Sequence, residues 1–277
     1  LPQIVGGLTK KSVERATIFW QTLTDGVVNV DSLEAAELVK LINNSYRVLS
    51  FAFSNGFALL ANKFNLEASR VISAANEGYP RDKIPSPSPG VGGYCLTKDP
   101  LLYASVDYKS NYAQLSKLGR SVNECAAKLP QELLMNYINR RNKRINEICA
   151  MVVGIAFKGI PETNDMRGST GLELALNLQE MGCDVECFDA IVSDDKLIKA
   201  GIKPCKILEA AKKCDVLFIM NNHPLNIPDG LLITLHNRPV LLFDGWSMID
   251  RHRVESYQNI TYATMGYMTD SSLPKDE

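Results

Sequence analysis

The apolar positions change period once along this chain. Residues 8–24 are spaced as in a helix. From Ser32 to about Phe64 no proline interrupts, and Leu33, Ala36, Leu41, Leu49, Phe53 and Leu60 leave few wholly polar faces. The spacing predicts one long buried helix, about 45 Å at 1.5 Å per residue, with Gly56 as a possible kink. Asp31, three residues before Glu34, has the spacing of reciprocal capping at its start. A further helix is expected over 67–76, and helical character returns over 111–147, with Pro130 as a break. The period then shortens. ICAMVVGIAF, DVECFDA, DVLFIM and PVLLFDGW read as buried strands, and GLELALNLQEMG, closed by Gly182, and ILEAAKKC as the helices between them. Strand and helix alternating at this interval imply a parallel sheet covered by helices. The fold class is therefore α/β: a mainly helical domain over 8–150, then a doubly wound parallel-sheet domain over 151–277. The opening LPQIVGG, residues 1–7, reads as the last strand of a folded unit that precedes it.

Residues 79–100, YPRDKIPSPSPGVGGYCLTKDP, fit neither period. They hold Pro80, Pro85, Pro87, Pro89 and Pro100 together with Gly90, Gly92 and Gly93. The stretch is too apolar for a linker, and such a rigid loop suits a site that brings main chain close to a ligand. Composition narrows the partners. Apolar residues make up 45% and charged residues 22%, as in ordinary globular chains. Thirty basic and thirty-one acidic residues, with no long run of like charge, argue against nucleic-acid binding. No stretch reaches the ~18 consecutive apolar residues of a membrane helix. Seven scattered cysteines and three distant histidines fit neither a disulfide framework nor a zinc site. A reduced, cytoplasmic protein with no metal is expected.

Three clusters could carry chemistry. Cys95 follows the glycines and precedes Lys98, which could stabilise a thiolate or an anionic ligand, and Asp99, which could move a proton or orient water. A cysteine after a glycine turn is, however, most often simply buried. Lys40 and Asn44 lie one turn apart on the long helix and could stabilise an oxyanion, although a lysine there commonly only lays its stem along apolar neighbours. Phe157 and Lys158 end a strand, and the loop beyond them carries Arg167, where parallel sheets bind ligands and a cation suits phosphate. Surface charge on a connecting loop is the plainer alternative.

Together, EAAELVKLINNSYR, PSPGVGGYCLTKDP, LGRSVNE, VVGIAFKGIPETNDMR and DVECFDA resemble, in order, the UDP-glucose/GDP-mannose dehydrogenase family of nucleotide-sugar 6-dehydrogenases. The resemblance implies a helical central, dimer-forming domain followed by a Rossmann-like nucleotide-sugar-binding domain. It implies NAD-dependent oxidation of a sugar C6 alcohol to the uronate through a Cys95 thiohemiacetal and thioester, in nucleotide-sugar metabolism and polysaccharide biosynthesis. Lys40 and Asn44 would sit at the C6 oxygen and Asp99 would serve proton transfer. Ser86, Ser88, Gly90, Val91 and Gly92 would wrap the sugar and diphosphate with their backbone. Arg81 would reach a neighbouring subunit's substrate, Phe157 and Lys158 would hold the nucleotide, and Lys98 and Arg167 would face NAD. The Pro-Gly-Val-Gly-Gly form of the loop is closest in look to the UDP-N-acetylhexosamine branch, and a homodimer through the central helix is implied.

The chain also departs from the pattern. No G-x-G-x-x-G follows any strand, so the N-terminal NAD-binding domain is expected to be missing and the chain as given to be inactive. Trp246 stands where an arginine is usual, with Arg251 or Arg253 as possible substitutes, and Tyr94 stands where His or Ser is usual. A non-catalytic nucleotide-sugar-binding or dimerisation module is the alternative reading. A cysteine hydrolase would need a histidine near Cys95.

Overall fold

The computed structural model describes residues 2–269. Strand β1 (Gln3–Val5) runs parallel to β2 (Val27–Asn29), with helix α1 (Lys10–Gln21) crossing between them. Main-chain bonds from Gln3 to Gly26 and from Val30 to Val5 tie the pair. Residues 8–30 therefore stand with the opening strand in one βαβ unit, not with the long helices.

Helix α2 (Leu33–Asn62) has 30 residues. Its cap is Ser32, whose hydroxyl accepts from the Ala35 amide at 3.1 Å, in place of the Asp31 expected from spacing. Gly56 does not interrupt it. A Cβ there would lie 3.4 Å from Val122, an ordinary packing contact with α5. Helices α3 (Ala68–Asn76), α4 (Tyr94–Ser105) and α5 (Asn111–Arg140) complete the helical part. Pro130 does not break α5. Its neighbours Leu129, Leu133 and Leu134 are buried, and their packing offsets the missing main-chain bond. Helix α2 buries Leu41, Val48, Ala52 and Ala58, while Leu38, Ile42, Tyr46, Phe53 and Leu60 lie exposed. Full burial of this helix was expected; in the single chain only the face toward its neighbours is covered.

The second half holds strands β3 (Cys149–Val153), β4 (Asp184–Phe188), β5 (Lys203–Pro204), β6 (Val216–Ile219), β7 (Val240–Asp244), β8 (Ile260–Thr264) and β9 (Tyr267–Met268). Their order is β5-β4-β3-β6-β7-β8-β9, parallel except for the final pair. Helices α6 (Thr170–Glu180), α7 (Asp194–Lys199), α8 (Ile207–Ala211), α9 (Leu231–Leu235) and α10 (Arg251–Glu255) connect them. The chain leaves β3 in one direction to β4 and returns on its other side as β6, so the switch point lies at the carboxyl ends of β3 and β6, where parallel sheets bind ligands. Two apolar clusters cover the sheet's faces, one including Val152, Phe218 and Phe243, the other Met151, Leu217 and Tyr262. The first also takes in Leu133, Leu134 and Ile138 of α5, so the helical part and the sheet share a core.

Phe218 is fully buried and meets Phe243 at 6.2 Å between ring centroids. Phe218→Ala is expected to lower the unfolding free energy by about 3–5 kcal/mol in a denaturant titration. A loss below about 1 kcal/mol would show that this side of the sheet repacks freely.

Candidate functional site

The cysteine loop does not stay irregular to residue 100. It turns into α4 at Tyr94, after Gly93 at φ +91°, and Cys95 lies half-buried in the first helical turn. That position favours negative charge, because the first amides of a helix lack partners. Asp99 follows one turn later on the same face.

Asp99 is fully buried and its carboxylate gathers three side chains. Lys98 Nζ donates to Oδ1 at 2.6 Å, Asn44 Nδ2 donates to Oδ2 at 2.6 Å, and Lys40 Nζ lies 3.7 Å from Oδ2. Burial alone would push the Asp99 carboxyl up. The hydrogen bonds from Lys98 and Asn44 and the charges of Lys40 and Lys98 outweigh it and hold the group below its ordinary value. The Lys98 ammonium is raised in return, chiefly by the bond to Asp99. Four of the residues singled out in sequence thus meet beside Cys95. A carboxylate held this way is a weak proton acceptor and a strong anchor, so its geometry fits fixing Lys98 and Asn44 better than taking a proton.

The loop before α4 is pressed onto the sheet domain. Gly93 N–H donates to Gly168 O at 3.2 Å. A Cβ on Gly92 would come within 2.3 Å of Gly168 O, and one on Gly93 within 2.8 Å of the Phe157 ring. These two positions admit only glycine for lack of room. Phe157 is set by its N–H bond to Asp165 O. Arg167, on the same loop, is gripped two-pronged by Asp165 at 3.0 and 2.7 Å, and this pairing lowers the Asp165 carboxyl to about 2. Lys158 is half-buried, with its Nζ 5.3 Å from the Phe157 ring. Beneath this loop Asp189 accepts from the Ile155 and Ala156 amides and from Asn221 Nδ2, and Asn226 Nδ2 donates to Asn221 Oδ1. The switch-point turn is thereby fixed by buried polar groups.

Other expected residues lie elsewhere. Arg81 folds back on its own loop, bonded to Asp82 O and lying over the Tyr79 ring at 4.7 Å. Ser86 is exposed. Ser88 is buried, and its N–H and hydroxyl are used on Asn55 Oδ1 and Gly90 O, so it shapes the loop instead of facing outward. Asn55 in turn donates to Asn123, which donates to Val48 O. This relay from α5 through α2 to the loop was not foreseen; the one hint was a lone Asn in the apolar run FAFSNGFALL. Trp246 spends its indole N–H on Met220 O, and a Cβ on Gly245 beside it would meet Pro89 at 2.7 Å. Arg251 pairs with Glu255 and lies over Tyr267, so it does not stand in for the expected arginine, and Arg253 is exposed on the same helix. A cleft of about 490 Å³ runs between α5 and α6, lined by Val91, Thr97, Arg120, Glu124, Gly168 and Glu173; Cys95 does not line it. Among the described residues no group of His, Cys, Asp and Glu is placed to hold a metal ion, and no helix is long and apolar enough to cross a membrane.

Asp99 and Asp165 both titrate below their ordinary value in the fold. An unfolded aspartate titrates near pH 3.9, so their contribution is complete above about that pH and is lost as pH falls through the folded values. Urea midpoints should hold from about pH 7 to pH 5 and fall below about pH 4. Asp99→Asn should remove part of that fall. An unchanged acid slope in this variant would show that Asp99 does not carry the linkage.

Comparison with known proteins identifies the family. The central-domain profile of the UDP-glucose/GDP-mannose dehydrogenase family matches residues 34–125, and that family's UDP binding domain profile matches residues 151–251. The chain is 31% identical over 224 residues to a UDP-N-acetyl-D-mannosamine dehydrogenase of Pyrococcus horikoshii, covering 80% of this chain and 50% of that protein. It is 30% identical over 222 residues to the protein of the same name from Methanocaldococcus jannaschii, covering 80% and 48%. The chain thus spans about half the length of the curated relatives it matches. A solved structure of a UDP-D-ManNAc dehydrogenase from Pyrococcus horikoshii superposes with a TM-score of 0.78 at 26% identity, over 95% of this chain and 59% of that one. With both profiles matched in order, the chain belongs to the UDP-glucose/GDP-mannose dehydrogenase family.

Proposed function

We propose that this chain is the nucleophile-bearing and sugar-nucleotide-binding part of an NAD-dependent nucleotide-sugar 6-dehydrogenase. The substrate class is a UDP-N-acetylhexosamine, oxidised at C6 from alcohol to carboxylate. The observation that carries the reading is the gathering of Lys98, Asn44 and Lys40 on the buried Asp99, one turn from Cys95. The names of the relatives favour an N-acetylated sugar. In this reading residues 151–269 hold the nucleotide, with Phe157 and Lys158 at the switch point and Gly90, Val91 and Gly92 close to the diphosphate.

The chemistry follows from these groups. Cys95 Sγ attacks the C6 carbonyl carbon of the aldehyde, forming the S–C bond while the carbonyl electron pair moves to oxygen. Lys40 is the cation best placed to meet that oxygen, because Lys98 and one N–H of Asn44 are already bound to Asp99. At the thioester stage water attacks the same carbon and the thiolate leaves as the carboxylate forms. The described residues do not form a dinucleotide site. No glycine-rich phosphate turn follows a strand, and Arg167 is held by Asp165. The oxidations of alcohol to aldehyde and of thiohemiacetal to thioester would each pass a hydride to NAD, for which these residues alone offer no phosphate turn. A cytoplasmic setting suits seven unpaired thiols.

Calorimetric titration with UDP-N-acetylglucosamine and UDP-N-acetylmannosamine tests the reading. Parent and Cys95→Ser should bind alike. Uronate formation with NAD⁺, assayed in a polypeptide joining this chain to a relative's dinucleotide unit, should fall below detection in Cys95→Ser. Near-parent turnover would remove Cys95 as nucleophile, and binding without turnover even in the parent would favour the non-catalytic module.

A homodimer through α2 belongs to the same proposal. Leu38, Ile42, Tyr46, Phe53 and Leu60 recur at helical spacing on its uncovered face, joined by Leu115 and Leu118 of α5. Phe53→Glu should shift the sedimenting species from dimer to monomer. A parent that sediments as a monomer at high concentration would refute the dimer.

A further inference from the structure

Tyr94 immediately precedes Cys95, and 54% of its surface is exposed. Two cations from different parts of the chain lie over its ring. Lys98 Nζ is 5.3 Å from the centroid and Arg167 Cζ is 5.2 Å from it. Each is also fixed by a carboxylate, Lys98 by Asp99 and Arg167 by Asp165. The contacts Asp99–Lys98–Tyr94–Arg167–Asp165 thus cross the seam between α4 and the loop after β3, and both cations interact electrostatically with Cys95, the next residue. We propose that Tyr94 is a positioning residue whose ring keeps Lys98 and Arg167 at the sulfur of Cys95. The inference rests on the reading of Cys95 as nucleophile.

The physical ground is the negative face of the aromatic ring, which attracts ammonium and guanidinium groups within about 6 Å. The Arg167 side chain is 68% exposed and otherwise bound within its own loop, so the ring is the aromatic face of α4 that holds it across the seam. Cations near a thiol favour its thiolate, the form that attacks carbon. Lys98 of α4 and Arg167 of the loop after β3 both lie within electrostatic reach of Cys95; Asp99, with Lys40 of α2 beside it, balances the first, and Asp165 balances the second. The ring, not the hydroxyl, makes the contacts, so phenylalanine should serve as well as tyrosine.

Alkylation of the native chain by iodoacetamide at neutral pH, followed cysteine by cysteine by mass spectrometry, tests this. The sulfur forms a bond to carbon and iodide leaves. Cys125, exposed on α5, is the internal reference. In the parent, Cys95 should react faster than Cys125. Tyr94→Leu should slow Cys95 by about two- to fivefold, the size of an exposed cation–ring contact, and leave Cys125 unchanged. Tyr94→Phe should keep the parent rate, and adding Arg167→Gln to Tyr94→Leu should slow Cys95 little further. An unchanged Cys95 rate in Tyr94→Leu, or a Tyr94→Phe rate as slow, overturns the clamp alone. So does slowing accompanied by faster labelling of the buried Cys183, Cys187 and Cys214, since the ring would then be supporting the fold. A parent Cys95 no faster than Cys125 overturns the nucleophile reading and the clamp with it.

Discussion

The buried carboxylate of Asp99 is the constraint around which the site is arranged. An ionised group without water must find opposite charge and hydrogen bonds. Asp99 finds Lys98 on its own helix and Asn44 and Lys40 on α2. Satisfying it fixes the axial position of α4 against α2, because the Asn44 contact of 2.6 Å tolerates little sliding. Cys95, one turn away on a rigid helix, inherits that position. The placement of the sulfur is therefore a consequence of charge balance beneath it.

A second constraint sets where α4 begins. The loop must reach the carboxyl end of the sheet without side chains at Gly92 and Gly93, because Gly168 O and the Phe157 ring occupy that space. On the sheet side, Asp189 and Asn221 hold the turn that carries Phe157. On the helical side, Asn55 and Asn123 hold Ser88. Polar relays thus brace both sides of a seam formed by glycine main chain. The shared core of α5 and the sheet keeps those sides together.

How far the sequence discloses this depends on the range of the interaction. The strands of the second half and the length of α2 were legible, since apolar period reports burial of a whole face. Cys95, Asp99, Lys40 and Asn44 were legible as candidates, and their meeting is what α2–α4 packing adds. The cap at Ser32 follows the same local three-residue rule, one position on from Asp31, whereas the continuity of α5 through Pro130 was misread because packing against neighbours decides there. The βαβ pairing of residues 8–30 was hidden because β1 and β2 have three residues each, too few for a period. The main chain of Ser88 is held by Asn55, thirty-three positions away. No spacing rule reaches that far.

The same accounting separates roles that sequence left equal. Lys98 and Asn44 each make a 2.6 Å bond to one oxygen of Asp99, so both are committed to it. Lys40 stands 3.7 Å away, with 62% of its side chain exposed. Moving it toward a new anion gives up a long and partly solvated contact, whereas moving Lys98 would strip a short bond from a buried carboxylate. In the proposed reaction a developing oxyanion would therefore be met at least cost by Lys40, while Lys98 and Asn44 stay bound to Asp99 behind it. Stabilising charge during a reaction requires a group whose reorganisation costs little, and of the three cationic or amide side chains on Asp99 only Lys40 meets that condition.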